Sequence, residues 1–377
     1  DDYFKQAIAI AGDDIPSRRE ARLAYAGFLM QSWVKTRRTS QEQAEALYDS
    51  AEKLINESIS DDPDAFDSYL QLASLYRLAG EYDKVVEVCE KRIVQGLQRK
   101  GVEATQNRLS AFTLMTYASE AAVTLSVKAA SKSDFAQRDR WLARAEQYVT
   151  DAKGEAPSHP MVLSQSGRVK IARGQERAGL EDLRASDEAY KSYGKINWDN
   201  RLIRARVHLQ LNESGAARTV LEDVMSEATR SRSADAGFWN LYAQTLVQAG
   251  ELQRAMNVVD RTLTLAPTNK DAKRIKAAIF ERQGKLPEAG QMEEELSGSG
   301  TVRAILEARA AMLEGNTEKA LQLLHGALED DPVNVRVVTA LSSELAQLGR
   351  LDAARDVVRK AQAADPDNDT FRALELS

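Results

Sequence analysis

The chain has 377 residues, 43% hydrophobic and 29% charged, an ordinary globular balance that excludes wholesale disorder and collagen-like structure. It contains no run of 18 or more apolar residues and a single cysteine, Cys89, which excludes a membrane-spanning helix within these residues, an intrachain disulfide and a multi-cysteine metal cage. The net charge is −6, from 51 basic and 57 acidic residues with no Lys/Arg run of five or more, so the concentrated positive surface that nucleic acid requires is missing and none is expected as a partner.

With only 8 prolines and 20 glycines, long helices are expected throughout. Residues 1–60 read as an N-terminal cap of degenerate helical hairpins, with helices at about Ser17 to Thr36 and Ser40 to Ser60. Residues 61–100 hold a sharper unit: Tyr69, Leu72-Ala73, Tyr76, Gly80 and Tyr82, continuing through Val85 and Cys89. Residues 101–156 read as an elongated hairpin with helices at about 105–130 and 134–153. It is expected either to cap a change of curvature or to project as a docking surface. Residues 157–232 hold two weaker units. One runs from Pro160 through Leu163, Gly167, Gly174 and Leu183; the other runs from Trp198 through Ala205, Ala217 and Leu221, turning at Asn212 to Gly215.

Residues 233–366 carry the plainest internal repeat, four units long. Gly250, Gly284, Gly315 and Gly349 are 34, 31 and 34 residues apart, and Pro267, Pro332 and Pro366 keep the same ruler at 65 and 34. The short interval contains the Ser297-Gly298-Ser299-Gly300 turn. Between the marks, Trp239, Tyr242 and Leu246 recur at steps of three and four, one apolar helical stripe. Gly250 ends that helix, and a second follows with Ala255, Val258, Val259 and Leu263 on its inner face. Pro267 then marks the next start. Two short helices cannot bury their shared face alone, so neighbouring units stack. Residues 367–377 are expected to form a capping helix, with Phe371 and Leu374 covering the last repeat.

This pattern resembles the tetratricopeptide repeat. Trp239, Tyr242-Ala243, Leu246, Gly250, Ala255, Val259 and Pro267 fall at its signature spacings. Val338, Leu341-Ser342, Leu345, Gly349, Ala354, Val358, Ala361 and Pro366 match again, as do Ala304, Ala308, Ala311, Gly315, Ala320, Leu324, Ala327 and Pro332. Residues 270–296 are a degenerate copy with Ala277, Phe280, Gly284 and Ala289. In the early copy Val85 replaces the usual alanine, which implies looser or shifted helix packing. The resemblance covers roughly residues 61–376. It implies an all-α fold, a right-handed α-solenoid of about nine helical hairpins, and a role as a protein–protein interaction scaffold or adaptor.

In such arrays ligands mostly meet the first helix of each hairpin on the concave side. Transferring the family's contact register places Arg77, Arg168, Arg206, Asn240, Gln244, Arg274, Arg309, Arg336 and Ser343 on that face. Guanidinium groups recognise carboxylates bidentately, so an arginine-lined groove suits a protein or peptide partner of acidic character. The alternative is that these arginines pair with neighbouring acids and only solvate the wall. Lys270, Arg274 and Asn240 are similar to part of the carboxylate clamp of chaperone-binding members, but Leu202 and Arg206 stand where that clamp has Lys and Asn, which argues against capture of a chaperone tail.

No catalytic constellation, cofactor motif or metal-ligand spacing occurs, so an enzyme is not expected. His159, His208 and His325 lie in different repeats, whereas metal ligation needs several converging groups. Cys89 sits where hairpins pack and reads as a small buried hydrophobe. Trp33 and Trp141 lie outside the signatures and are candidates for exposed contact aromatics; Trp198 is expected to plug the interface between hairpins. The chain opens Asp1-Asp2 without an initiator methionine, which is compatible with a signal peptide, lipid anchor or further domain upstream, and cytoplasm and periplasm are equally compatible. Two other roles stay open on sequence grounds: a structural component of a bacterial envelope assembly, such as an exopolysaccharide-export or pilus-associated lipoprotein, and the sensor domain of a larger regulator.

Overall fold

The computed structural model describes residues 2–37, 39–97, 103–231, 235–297, 300–365, 368, 370–371 and 374. Among them run twenty α-helices and no strand, so the chain is all-α. The chain divides into two compact units, Asp1–Asn200 and Arg201–Ser377.

In the first unit α1 (Asp2–Ala11) precedes the pairs α2 (Ile15–Thr36) with α3 (Gln41–Asp61), α4 (Phe66–Ala79) with α5 (Tyr82–Leu97), α6 (Glu103–Ala130) with α7 (Phe135–Glu155) and α8 (Pro160–Ala172) with α9 (Glu176–Ser192). Each pair packs as an antiparallel hairpin, and the first helices touch in series, α2 on α4, α4 on α6 and α6 on α8. In the second unit α10 (Trp198–Gln210), which begins just before the division, leads by a tight turn into α11 (Ser214–Glu222). A short α12 (Met225–Ser231) follows, then α13 (Ala236–Gln248) with α14 (Leu252–Leu265), α15 (Lys270–Arg282) with α16 (Leu286–Ser297), α17 (Thr301–Leu313) with α18 (Thr317–Asp330) and α19 (Val335–Gln347) with α20 (Leu351–Ala364). Here too α13 packs on α15 and α17 on α19. Within each unit, stacked hairpins thus place their first helices side by side.

Local chemistry sets the helix ends. Ser40, Asp134, Asn269 and Asn316 accept backbone N–H groups of the first turn of α3, α7, α15 and α18, satisfying donors that the helix itself cannot. Pro16 and Pro160 occupy first-turn positions where a missing N–H costs nothing. Gly250, at φ 79°, turns the chain from α13 to α14 in the left-handed region that a side chain would strain. Pro267 lies in the turn between α14 and α15, three residues before the helix start.

Three readings are corrected. Neither α1 nor the break between α11 and α12 is anticipated by the periodicity. Trp33 is buried against Tyr48, ring centroids 5.9 Å apart, with the Arg37 guanidinium 5.0 Å over its indole, so it is not an exposed anchor. The 101–156 hairpin does not stand off the body: Ala111, Leu114, Met115, Ala118 and Ala122 of α6 are buried in a core continuous from Tyr25 to Val169. Val85 is also completely buried in that core. In the second unit the last hairpins enclose Phe371, fully buried, with Leu374 packed beside it. Pro366, Gly298, Ser299 and most of 367–377 lie outside the described residues.

Candidate partner-binding faces

Among the described residues, first helices of successive hairpins meet at a cavity in each unit. In the second unit a cleft of about 490 Å³ is lined by residues of α10, α13 and α15. Leu209, Val247, Ile275 and Ala278 provide buried or half-buried apolar surface, and the exposed Gln210, Gln244, Gln248, Asp271, Arg274 and Arg282 provide its polar edge. Arg282 donates to the Val247 carbonyl and Gln248 donates to the Leu209 carbonyl at 3.3 Å. The polar edge therefore also ties the three helices together. An apolar floor with a polar, hydrogen-bonding rim is the arrangement by which grooves take extended or helical peptide segments.

In the first unit a smaller cavity of about 120 Å³ opens among α4, α6, α8 and the start of α10. Arg77 donates to Glu120 at 3.1 Å and lies 5.0 Å over the Tyr117 ring. Arg168, whose side chain is 16% exposed, stands between Glu120 at 3.9 Å and Asp199 at 3.8 Å. Tyr190, also at the cavity, has its phenol pushed up by burial, against the opposing pull of its hydrogen bond with Asn197 and the positive charge of Arg168.

The face chosen from the sequence is therefore divided. Arg77 and Arg168 share the small cavity, and Gln244 and Arg274 share the larger cleft. Asn240 is buried and donates to Asn269 at 3.2 Å, stitching α13 to the cap of α15. Arg206, Arg309, Arg336 and Ser343 are exposed and line neither cavity. Arg309 reaches Glu281 at 3.4 Å and Arg274 reaches Asp271 at 3.2 Å, exposed pairs that contribute little. Sequence reasoning missed Tyr117, Glu120 and Gln165. The first two sit on the long α6, which has no repeat signature to carry a register. Gln165 lies three residues before Arg168, a spacing that puts both on one helix face and was the available signal.

His159 and Cys89 sit in structural settings. His159 caps α8 through Nδ1, which accepts from the Met161 N–H at 3.3 Å; burial lowers its pKa and holds the ring neutral. Cys89 is buried, which pushes its thiol up and keeps it unreactive. Among the described residues no three His, Cys, Asp or Glu side chains converge on a metal position, and no helix is long and apolar enough to cross a membrane.

Comparison with family profiles agrees with the repeat pattern of the second unit. A family profile described as Tetratricopeptide repeat matches residues 311–375, and a second of the same description matches 202–270 and 243–296. No curated protein sequence matches. Among solved structures, the chain is similar to a thermophilic TPR protein of Thermus thermophilus, with 17% identity over 59% of this chain and 99% of that one and a TM-score of 0.44. It is also similar to a tetratricopeptide repeat protein of Parabacteroides merdae, with 15% identity, 68% and 97% coverage and a TM-score of 0.45. Pseudomonas aeruginosa pilF gives 11% identity, 62% and 99% coverage and a TM-score of 0.42.

Proposed function

We propose that this chain, matched by tetratricopeptide-repeat profiles over 202–296 and 311–375, is a protein-interaction scaffold that holds a peptide segment of a partner protein, acidic in character, along the first-helix face. The cleft lined by α10, α13 and α15 carries this reading. Three successive repeats present one continuous apolar floor there, and Arg274 and Arg282 outnumber Asp271 at its edge. The floor supplies affinity by burying partner side chains, and the positive excess favours carboxylates on the segment.

The test is enrichment of a displayed random-peptide library on the whole chain. Selected sequences should be rich in Asp and Glu around one or two apolar anchors. They should lose binding to an Arg274→Glu/Arg282→Glu variant of unchanged helix content, and keep it with Arg184→Glu, whose exposed side chain is on the second helix α9. Selected peptides that bind the double variant as well as wild type would sink the proposal.

A further inference from the structure

The small cavity of the first unit holds polar atoms that its own walls leave unanswered. Gln165 is only 7% exposed, lines the cavity, and its Oε1 has no hydrogen-bond partner. Arg168 approaches Glu120 and Asp199 no nearer than 3.8 Å, beyond hydrogen-bond reach, and its buried Nε is also unpartnered. Arg77 satisfies Glu120 through Nη1 but leaves its own buried Nε without an acceptor. Buried polar groups in such a state each cost free energy until something meets them.

The cavity therefore asks for an acceptor toward the guanidiniums and a donor toward Gln165 Oε1. Formal charge narrows the choice. Arg77 and Arg168 are balanced by Glu120 and Asp199, all at the cavity. A carboxylate would answer Arg168 but would bring a full negative charge beside Glu120 and press a lone pair against the Gln165 carbonyl. An ammonium would answer Gln165 but would face two guanidiniums. A primary carboxamide supplies both functions on one planar, neutral group, and about 120 Å³ is roughly four times the liquid volume of one water, about 30 Å³, enough for such a group on a short stem.

We infer that this cavity is a receptor for a carboxamide, the side chain of an Asn or Gln in the partner segment: its carbonyl accepts from Arg168 and its NH₂ donates to Gln165 Oε1. The inference rests on the reading that the first-helix faces meet a partner, but it concerns a different unit and a neutral group.

The experiment uses the full chain and three small probes, propionamide, propionate and methyl propionate, followed by the arginine Nε–H correlations in ¹⁵N–¹H NMR spectra. The Arg168 signal is assigned by its loss in Arg168→Lys. Propionamide should shift the Arg168 and Arg77 signals saturably, and the two other probes should bind at least about tenfold more weakly, the factor that corresponds to about 1.4 kcal/mol, one unmet hydrogen bond. Gln165→Leu should weaken propionamide by a similar factor while leaving the Arg168 signal in place, which also reports that the cavity still forms. Should that variant misfold, Gln165→Met gives the same comparison with an unbranched side chain. Propionate binding as tightly as propionamide, or Arg168 and Arg77 signals that do not move with propionamide, would overturn the assignment. Loss of library peptides on Arg274→Glu/Arg282→Glu with no propionamide binding would leave the cleft reading standing and remove this one; the reverse result would do the opposite.

Discussion

Gly167→Ala is expected to destabilise the α8–α9 hairpin although alanine is the better helix former. A Cβ built on Gly167 would lie 2.7 Å from the Gly179 carbonyl oxygen, 2.7 Å from Leu183 Cγ and 2.9 Å from Leu183 Cδ2. Leu183 is fully buried and Gly179 contributes backbone, so neither can swing aside and the two helices must separate. Overpacking of this kind costs about 1–3 kcal/mol, whereas replacing glycine by alanine inside a helix returns about 1 kcal/mol. Because the tightest contact is to backbone, the cost should fall in the upper part of its range, for a net loss of about 1–2 kcal/mol. Gly326 in α18 is the matched control: a Cβ there has nothing within 4 Å, so Gly326→Ala should stabilise by up to about 1 kcal/mol. Urea unfolding followed by circular dichroism gives the sign, and amide hydrogen exchange over residues 160–192 localises it. A Gly167→Ala protein as stable as wild type, with unchanged exchange in that segment, would refute the close-crossing argument.

The Arg92 side chain is 1% exposed, lies 4.2 Å over Phe66 and 5.5 Å from the Tyr69 ring centroid, and donates to the Asp64 carbonyl; Arg92→Ala should lower stability by about 1–3 kcal/mol through lost packing and a lost hydrogen bond, and a loss under about 0.5 kcal/mol in urea unfolding would contradict this. The Tyr242 hydroxyl donates to Glu222 at 2.9 Å and accepts from Arg254 at 2.8 Å, and burial first, then the Glu222 carboxylate, push the phenol up to about 12. A phenol whose pKa is raised by folding keeps a proton that the unfolded chain releases near pH 10, so its contribution is complete below about pH 10 and is lost as pH rises from there through about 12. Tyr242→Phe should therefore flatten the alkaline fall of the urea midpoint relative to wild type, and an unaltered pH profile would refute the assignment.

Much of the architecture was legible along the chain because it is written in local terms. Glycines at a fixed period mark where first helices end, and Gly250 in the left-handed conformation shows why that residue type stands there. The stripe Trp239, Tyr242, Leu246 is buried as its spacing demands. The repeat profiles fall on 202–296 and 311–375, over most of the plain repeats and part of the weaker unit before them. The boundaries of α6 and α7, 103–130 and 135–155, lie within about two residues of those read from periodicity, the ordinary uncertainty of helix ends.

What the sequence could not decide is which side chains meet across helices. The contact register treated Asn240 and Arg274 alike, yet one is spent on the cap of α15 while the other stands exposed at the cleft. It treated six arginines as one face, yet Arg77 and Arg168 converge on Glu120 while Arg206, Arg309 and Arg336 point to solvent away from both cavities. Helix period and punctuation are properties of neighbours in the chain, so the sequence by itself determined the hairpins and their order. The two cavities depend on residues far apart in the chain, such as Arg77 with Glu120, whose meeting is set by how far each helix slides and rotates as its apolar stripe packs. Only the tertiary structure decides that, because the packing optimum belongs to the pair of helices and to neither sequence alone.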